Sequence, residues 1–205
     1  MKQMAHALGR TEDEQKYSRL FEEIRTAFEQ NFVHPNGVVG AEVLAPAGQI
    51  HDSNLIETQT SYVLALHMDL LQEADRPLAA KKLVERIETN GWMLGTGFLG
   101  TPYLLEVLTD TGHTDVAYRL LLNTDYPSWG YMVEHGATTM WERWNRDQMR
   151  DQPEMNSYNH YAYGAVAEWI YRYAAGVDTD SKDPGFHTIF LHPHFDSRLG
   201  SADFS

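Results

Sequence analysis

The chain has 205 residues and a globular composition, since 42% of them are hydrophobic and 12% aromatic. Its net charge of −13 argues against a nucleic acid or an anionic membrane as a partner, because no basic cluster is available to neutralise phosphates. Cysteine is absent and no apolar run approaches the length of a membrane span, so we expect a soluble protein without disulfide or thiol chemistry.

The first half of the chain alternates helical patterns with loops. The N-terminal stretch MKQMAHALGR is too short and polar for a signal peptide, which leaves the location unknown with the cytoplasm favoured. Thr11 and Glu14 fit a capping box before an amphipathic helix. Residues 33–52 indicate one long loop with room for a short hairpin, and a second helix is predicted from near Asn54. A third follows Pro77, with Leu78, Leu83, Val84 and Ile87 on one face.

The second half begins with the glycine-rich stretch TNGWMLGTGFLGTP, which interrupts the helical pattern. Thr101 then fits an N-cap with Pro102 at the first helical position. A further helix is predicted from His113 to Asn123, an irregular aromatic region over 124–156, and a last helix from Ser157 to Ala175. The stretch GFHTIFLHPHF has the apolar and β-branched content of a strand.

This order predicts a mostly α fold. Short connections join alternate helix pairs, longer loops follow them, and no repeat of fixed period is visible, which argues against a tetratricopeptide-type solenoid. Antiparallel helical hairpins with long loops gathered at one end indicate an (α/α) toroid or part of one. We therefore expect the loops at 91–100, 124–145 and 156–160 to meet at one end of the helical array.

The stretch YPSWGYMVEHGATTMWERWN combines aromatic rings with acids. Indole and phenol rings stack on the C–H faces of sugars, while carboxylates and imidazoles bind sugar hydroxyls. Glu134 and Glu142 could therefore form a carboxylate pair for glycoside hydrolysis, although their spacing does not fix the distance between them. The alternative is that this stretch closes a helix pair and its indoles cover the core.

Three other motifs are weaker. His160 in NSYNHYAYG could bind a ligand hydroxyl or serve only in packing. The glycine-rich stretch lacks the lysine and the βαβ setting of a phosphate-binding loop, so it is better read as a turn that brings Trp92 and Phe98 toward a cleft. His192, His194 and Asp196 could together hold a metal ion, but their spacing is short and common and no further convincing ligand follows. We therefore predict no metal site and no cofactor.

Three longer stretches carry a resemblance to a known family. They are ETQTSYVLAL, the run from GTGFLGTPYLLEV to TTMWERW, and MNSYNHYAYGAVAEWIYRYAAG. In this order they resemble the second half of the catalytic domain of bacterial α-L-rhamnosidases, glycoside hydrolase family 78. The resemblance implies a partial (α/α)6 toroid over residues 1–180 and the beginning of a C-terminal β-sandwich over 181–205.

The resemblance also implies an activity. Enzymes of this family remove terminal α-linked L-rhamnose with inversion, using a metal-independent acid and base, so the expected partner is an L-rhamnose-containing glycoside. The glutamate of TTMWERW matches the general base, which is Glu142, and the histidine of NSYNHYAYG matches a sugar-contacting residue, which is His160. From their chemistry we add further pocket residues with less support, namely Trp141, Trp144, Glu134, His135, Trp129 and Trp92.

One part of the family pattern is not found in these residues. The general acid of the family lies upstream, in an Arg-x-Glu-type motif before Gly-Trp, and about half of the twelve helices are counted here. We therefore expect a fragment that contains the base but not the acid, and whose uncovered apolar face promotes association as a homo-oligomer or with an N-terminal half. The alternatives are a non-catalytic helical module that binds carbohydrate or protein, and a scaffold without a sugar site.

Overall fold

The computed structural model describes residues 1–42, 55–148, 154, 156–180, 183 and 185–201. In these residues the chain forms eight α-helices, with six short strands between and after them. The helices are α1 Lys2–Ala7, α2 Thr11–Phe32, α3 Gln59–His67, α4 Arg76–Thr89, α5 Gly97–Asp110, α6 Thr114–Leu121, α7 Trp129–Glu134 and α8 Val166–Trp169. A 3₁₀ turn, Ala162–Ala165, leads into α8, and a π-helical segment, Ile170–Ala174, continues it.

The helices form two layers. Helix α5 lies between α3 and the 162–174 helical segment, while α4 packs on α3 and α6 packs on α5. The inner helices α3 and α5 are buried on several sides, whereas α4 and α6 each bury one face and present charged residues on the other. A helix that is apolar on several sides belongs in the interior of such an array. The fully buried core residues include Tyr62, Val63, Leu66, Leu83, Ile87, Leu104, Leu108, Tyr118 and Leu120.

Three predicted helix starts are wrong. Thr11 is already helical and its side chain makes no capping bond, because the N-cap position belongs to Arg10. The second predicted helix begins at Gln59 rather than near Asn54, which lies outside the described residues. Thr58 and Ser61 form a reciprocal capping box there. Helix α5 begins at Gly97, and Pro102 lies inside it rather than at its start.

Burial also corrects several details. Leu78 does not belong to the buried face of α4, where Ala79, Ala80, Leu83 and Ile87 are buried instead. The region 124–156 contains helix α7 and is therefore not irregular throughout. Residues 157–161 precede the last helical segment, which begins at Ala162.

The strands form three antiparallel pairs. β1 Val33–His34 pairs with β2 Val38–Val39 in the short hairpin, and β3 Ala41–Glu42 pairs with β4 Leu55–Ile56. The rest of the predicted loop, residues 43–52, lies outside the described residues. β5 Val177–Thr179 pairs with β6 Ile189–Leu191, which confirms the strand character near the C-terminus. All three side chains of β6 are exposed, and we propose that this pair begins the β-sandwich region.

Apolar side chains are also exposed on α1 and α2. They are Met4, Leu8, Leu20, Ile24 and Phe32, and α2 has no fully buried residue. An apolar face of this kind agrees with the expectation of association, which stays a prediction. No helix in the described part of the chain is long and apolar enough to cross a bilayer.

The C-terminal tail docks on the helices through backbone contacts. The His192 amide donates to the Gly176 carbonyl at 2.8 Å, the His194 amide donates to the Tyr173 carbonyl at 2.9 Å, and the Tyr118 hydroxyl donates to the His194 carbonyl at 2.6 Å. Gly176 has a φ of +73°, and a Cβ atom there would lie 2.1 Å from the Pro193 nitrogen. The tail can therefore approach only because residue 176 is glycine.

We predict that Gly176→Ala lowers the free energy of unfolding by about 2–5 kcal/mol, because the new methyl group collides with backbone and the conformation is left-handed. The matched control is Gly112→Ala. Gly112 also has a positive φ, of +85°, but has no atom within 4 Å of its Cβ position. It should lose only the conformational part, about 1–2 kcal/mol. Urea unfolding of both variants measures the difference, and equal losses would contradict the tail packing.

Candidate active site

Two loop segments pair side by side at the end of the array where α3, α5 and α7 begin. The Glu142 amide donates to the Ser157 carbonyl at 3.0 Å, and the His160 amide donates to the Met140 carbonyl at 2.8 Å. The Thr139 hydroxyl also donates to the Tyr158 carbonyl. These bonds place Glu142 and His160 on neighbouring segments, so the predicted meeting of the loops at 124–145 and 156–160 is observed.

The carboxylate of Glu142 has one fixed oxygen. Its Oε2 accepts a hydrogen bond from the Ser157 amide at 2.8 Å, so the same two residues are joined by a backbone and a side-chain contact. The side chain is partly exposed. Among the residues that the structure describes, none donates a hydrogen bond to Oε1. The carboxylate is thus oriented by the backbone while its second oxygen can receive a ligand.

His160 lies between two aromatic rings. Its imidazole stacks on Phe98 with ring centroids 4.9 Å apart and on Tyr161 with centroids 5.1 Å apart. The Ala162 amide donates to His160 Nδ1 at 3.2 Å. In the neutral ring this bond requires the proton on Nε2, which is then available as a donor. The contact with Phe98 also joins the loop at 91–100 to this site.

Trp129 and Trp144 pack in the core beside the site rather than in an open pocket. The Trp144 ring stacks on Tyr163 at 3.8 Å and meets Trp129 edge to face at 5.5 Å, while Trp129 Nε1 donates to the Tyr163 carbonyl at 2.9 Å. Burial raises the pKa of Tyr163 to about 12, because desolvation disfavours the phenolate. Trp129 and Trp144 therefore pack against Tyr163 and stabilise the loop that carries Glu142.

Trp141 lines a cleft whose lining does not include Glu142. Its ring is 4% exposed and meets Tyr158 edge to face at 6.2 Å. The cleft, of about 290 Å³, is lined by His135, Gly136, Thr138, Thr139, Trp141, Asp147 and Tyr158. We call this the rear cleft.

Glu134 and His135 end helix α7. The His135 ring stacks on Tyr131 at 3.9 Å, and its Nδ1 donates to the Tyr131 carbonyl at 2.8 Å, which directs the residue to the rear cleft. Glu134 is exposed, and in the described part of the chain no hydrogen bond or ion pair joins it to Glu142. The predicted carboxylate pair is therefore not brought together by a contact.

Trp92 lies under a cation and is held by α6. The guanidinium of Arg119 sits 3.7 Å from the centre of its ring, and the indole is partly buried against the core. No ring contact or hydrogen bond among the described residues joins Trp92 to Glu142 or His160. Of the two aromatic residues in the glycine-rich stretch, it is Phe98 that reaches the site.

The histidines near the C-terminus serve the docking of the tail. The His192 and His194 rings lie 5.1 Å apart, and the Asp196 carboxylate pairs with Arg198 at 2.5 Å. This pairing holds the pKa of Asp196 at about 2. Within the described ranges, no group of three or more acidic or histidine residues has the geometry to hold a metal ion.

Sequence reasoning missed the residues that hold the site together. The Ser157 amide anchors Glu142 and the Ala162 amide anchors His160, and both contacts are made by the backbone. Backbone donors carry no side-chain signature. The only available signal was their position inside NSYNHYAYG, next to the histidine already selected.

Comparison with known proteins identifies the family. Residues 1–174 match the model described as the bacterial alpha-L-rhamnosidase 6 hairpin glycosidase domain. A curated alpha-L-rhamnosidase from Streptomyces avermitilis is 46% identical over 97% of this chain and 18% of its own length. Another, from Formosa agariphila, is 43% identical over 97% of this chain and 20% of its own length. The chain therefore spans about a fifth of the length of these relatives.

A solved structure agrees with this assignment. The crystal structure of Streptomyces avermitilis alpha-L-rhamnosidase complexed with L-rhamnose has a TM-score of 0.78 and 45% identity over 94% of this chain and 17% of that one. The match confirms the prediction of a mostly α fold that forms part of a helical toroid. The chain belongs to the bacterial α-L-rhamnosidase six-hairpin glycosidase family.

Proposed function

We propose that this chain contributes the general base and part of the sugar pocket to an inverting glycoside hydrolase that removes terminal α-L-rhamnosyl residues. The observation that carries the proposal is the carboxylate of Glu142, which is anchored through one oxygen by the Ser157 amide beside the His160 imidazole. Family membership and the relatives' names supply the reaction class. The substrate is a glycoside with a terminal L-rhamnose.

Glu142 has the chemistry of a general base. Inversion requires a water molecule behind the anomeric carbon, and a carboxylate that removes its proton as the oxygen attacks. In the proposed reaction the Ser157 amide holds Oε2 and so directs Oε1 at this water. Water oxygen bonds to the anomeric carbon, the glycosidic bond breaks, and the leaving oxygen takes a proton from the general acid.

His160 is assigned to the sugar. With Nδ1 occupied by the Ala162 amide, its neutral ring offers Nε2–H to a hydroxyl oxygen of L-rhamnose. A hydrogen bond to a substrate hydroxyl is a strong means of discrimination, because a site built for it rejects ligands that leave it unpaired. The imidazole therefore contributes to recognition rather than to proton transfer.

The general acid is assigned to a residue outside these 205 positions, as the family resemblance implies. An inverting pair needs carboxyl groups about 6.5–9.5 Å apart, so that water fits between the base and the sugar. Glu134, the other acid of the predicted carboxylate pair, is exposed at the end of α7. Among the described residues, no hydrogen bond or ion pair places Glu134 beside Glu142.

In a form of the protein that turns over α-L-rhamnosides, Glu142→Gln should lower kcat by about 10²–10⁴-fold, because general base assistance is lost. The amide oxygen of glutamine can still accept from the Ser157 amide, so folding and L-rhamnose binding should change little. Azide, which needs no deprotonation, should restore part of the activity and yield a glycosyl azide of inverted configuration. Steady-state kinetics with a nitrophenyl α-L-rhamnoside measures the loss.

The matched control is Glu134→Gln, an exposed glutamate of the same loop region, which should keep its turnover. Normal turnover of Glu142→Gln would remove the proposed role of the base. Unchanged sugar binding by both variants, with no turnover in any form of the protein, would instead favour a non-catalytic carbohydrate-binding module.

The 205-residue chain alone should hydrolyse rhamnosides negligibly while still folding. Loss of leaving-group protonation costs about 10²–10⁴-fold in rate. Release of nitrophenol by this chain, compared with release by a version extended upstream, measures the difference. Turnover by the short chain at ordinary enzyme rates would show that an acid within it suffices, and Glu134→Gln would then be the first variant to test.

A further inference from the structure

The glycine-rich stretch is clamped by helix α3. The buried side chain of Gln59 bonds it twice, since Nε2 donates to the Met93 carbonyl at 3.0 Å and Oε1 accepts from the Gly95 amide at 2.8 Å. The Thr60 hydroxyl donates to the Thr96 carbonyl at 2.8 Å. Three hydrogen bonds from two adjacent residues thus fix the backbone just before α5.

This clamp determines where α5 begins. The hydroxyls of Thr96 and Thr101 are both buried and bond each other at 2.7 Å across the first turn. Phe98 is the second residue of the helix, so its position is set by the clamped turn. Buried, satisfied polar groups of this kind define one backbone arrangement.

Phe98 forms the inner face of the His160 site. Its ring lies 4.9 Å from the imidazole with an interplanar angle of 15°, and it meets Tyr163 at 5.3 Å. The imidazole also stacks on Tyr161, with ring centroids 5.1 Å apart, and Tyr161 is 87% exposed. The partly buried Phe98 is therefore the rigid partner of the stack, and Tyr161 is the loose one.

Two contacts together determine the orientation and the tautomer of the His160 ring. Stacking on Phe98 fixes the plane of the ring, and the Ala162 amide fixes which nitrogen lacks a proton. Either contact alone would leave the ring free to flip or to tilt. With both, Nε2–H points in one direction, away from the backbone of the 157–162 segment.

We propose that Phe98, held by the Gln59 and Thr60 clamp, is a positioning residue that orients the Nε2–H donor of His160 toward the sugar. This inference rests on the proposed function for its ligand but not for its geometry. It assigns a role to the ETQT and GTGF motifs, which contribute no group to the chemistry itself.

The decisive variant is Phe98→Leu, because leucine keeps apolar packing against Tyr163 while it removes the flat ring. We expect the His160 ring to lose its fixed plane while the Ala162 amide keeps the tautomer, so the order parameter of its Cδ2–H bond from ¹³C relaxation should fall. The Kd for L-rhamnose should rise about 2- to 10-fold, as expected from loss of one aromatic pair. Phe98→Tyr should restore both values.

The matched control is Leu99→Ala, on the same turn of α5 and 74% exposed, which should change neither reading. A Phe98→Leu variant whose His160 ring keeps the wild-type order parameter would overturn the positioning role, whatever its affinity. If the wild-type chain does not bind L-rhamnose at all, the proposed function fails, whereas the order parameter of the His160 ring still decides the role of Phe98. A Gln59→Ala variant that shifts the His160 signals would support the clamp.

Discussion

The site depends on the pairing of two loop segments. One follows α7 and the other precedes the last helical segment. The contact between Glu142 and Ser157 is made twice, by the backbone and by the carboxylate, and the bond from His160 to Met140 continues the pairing. Without it the two proposed functional residues would lie on independent loops. With it, the proposed base and the proposed sugar-binding donor are held on adjacent segments by backbone hydrogen bonds.

The helical layers give this pairing its support. Trp144 and Tyr163 stack beneath it, and Trp129 bonds the same tyrosine through its indole nitrogen. On the other side, α5 presents Phe98 against His160, while α3 holds the preceding turn. Trp129 and Trp144, which the sequence analysis places in the sugar pocket, are therefore buried and pack against the paired loops in this structure. Burial removes the cost of exposing these indoles to water.

The sequence predicted the meeting of the segments that carry Glu142 and His160 better than it predicted the helix boundaries. Glu142 and His160 are candidates because TTMWERW and NSYNHYAYG resemble motifs of the family, and the helix content follows from apolar spacing. The sequence pattern predicts that α3 begins near Asn54, too early, because Leu55–Ile56 form a strand whose partner, Ala41–Glu42, is distant in sequence. The sequence pattern predicts that α5 begins after Thr101, too late, because Thr101 resembles an N-cap. Its hydroxyl instead forms a buried hydrogen bond with the Thr96 hydroxyl. Likewise, the contact of Trp92 with Arg119, which lies on α6, could not be inferred from the sequence.

The central claim is that one sugar contacts both Glu142 and His160, and a crystal structure of the protein with L-rhamnose tests it most directly. The account predicts a rhamnose hydroxyl within hydrogen-bond distance of His160 Nε2, and Glu142 Oε1 aimed at the position of a water behind the anomeric carbon. L-Rhamnose bound instead in the rear cleft, between His135, Thr138 and Asp147, would contradict it.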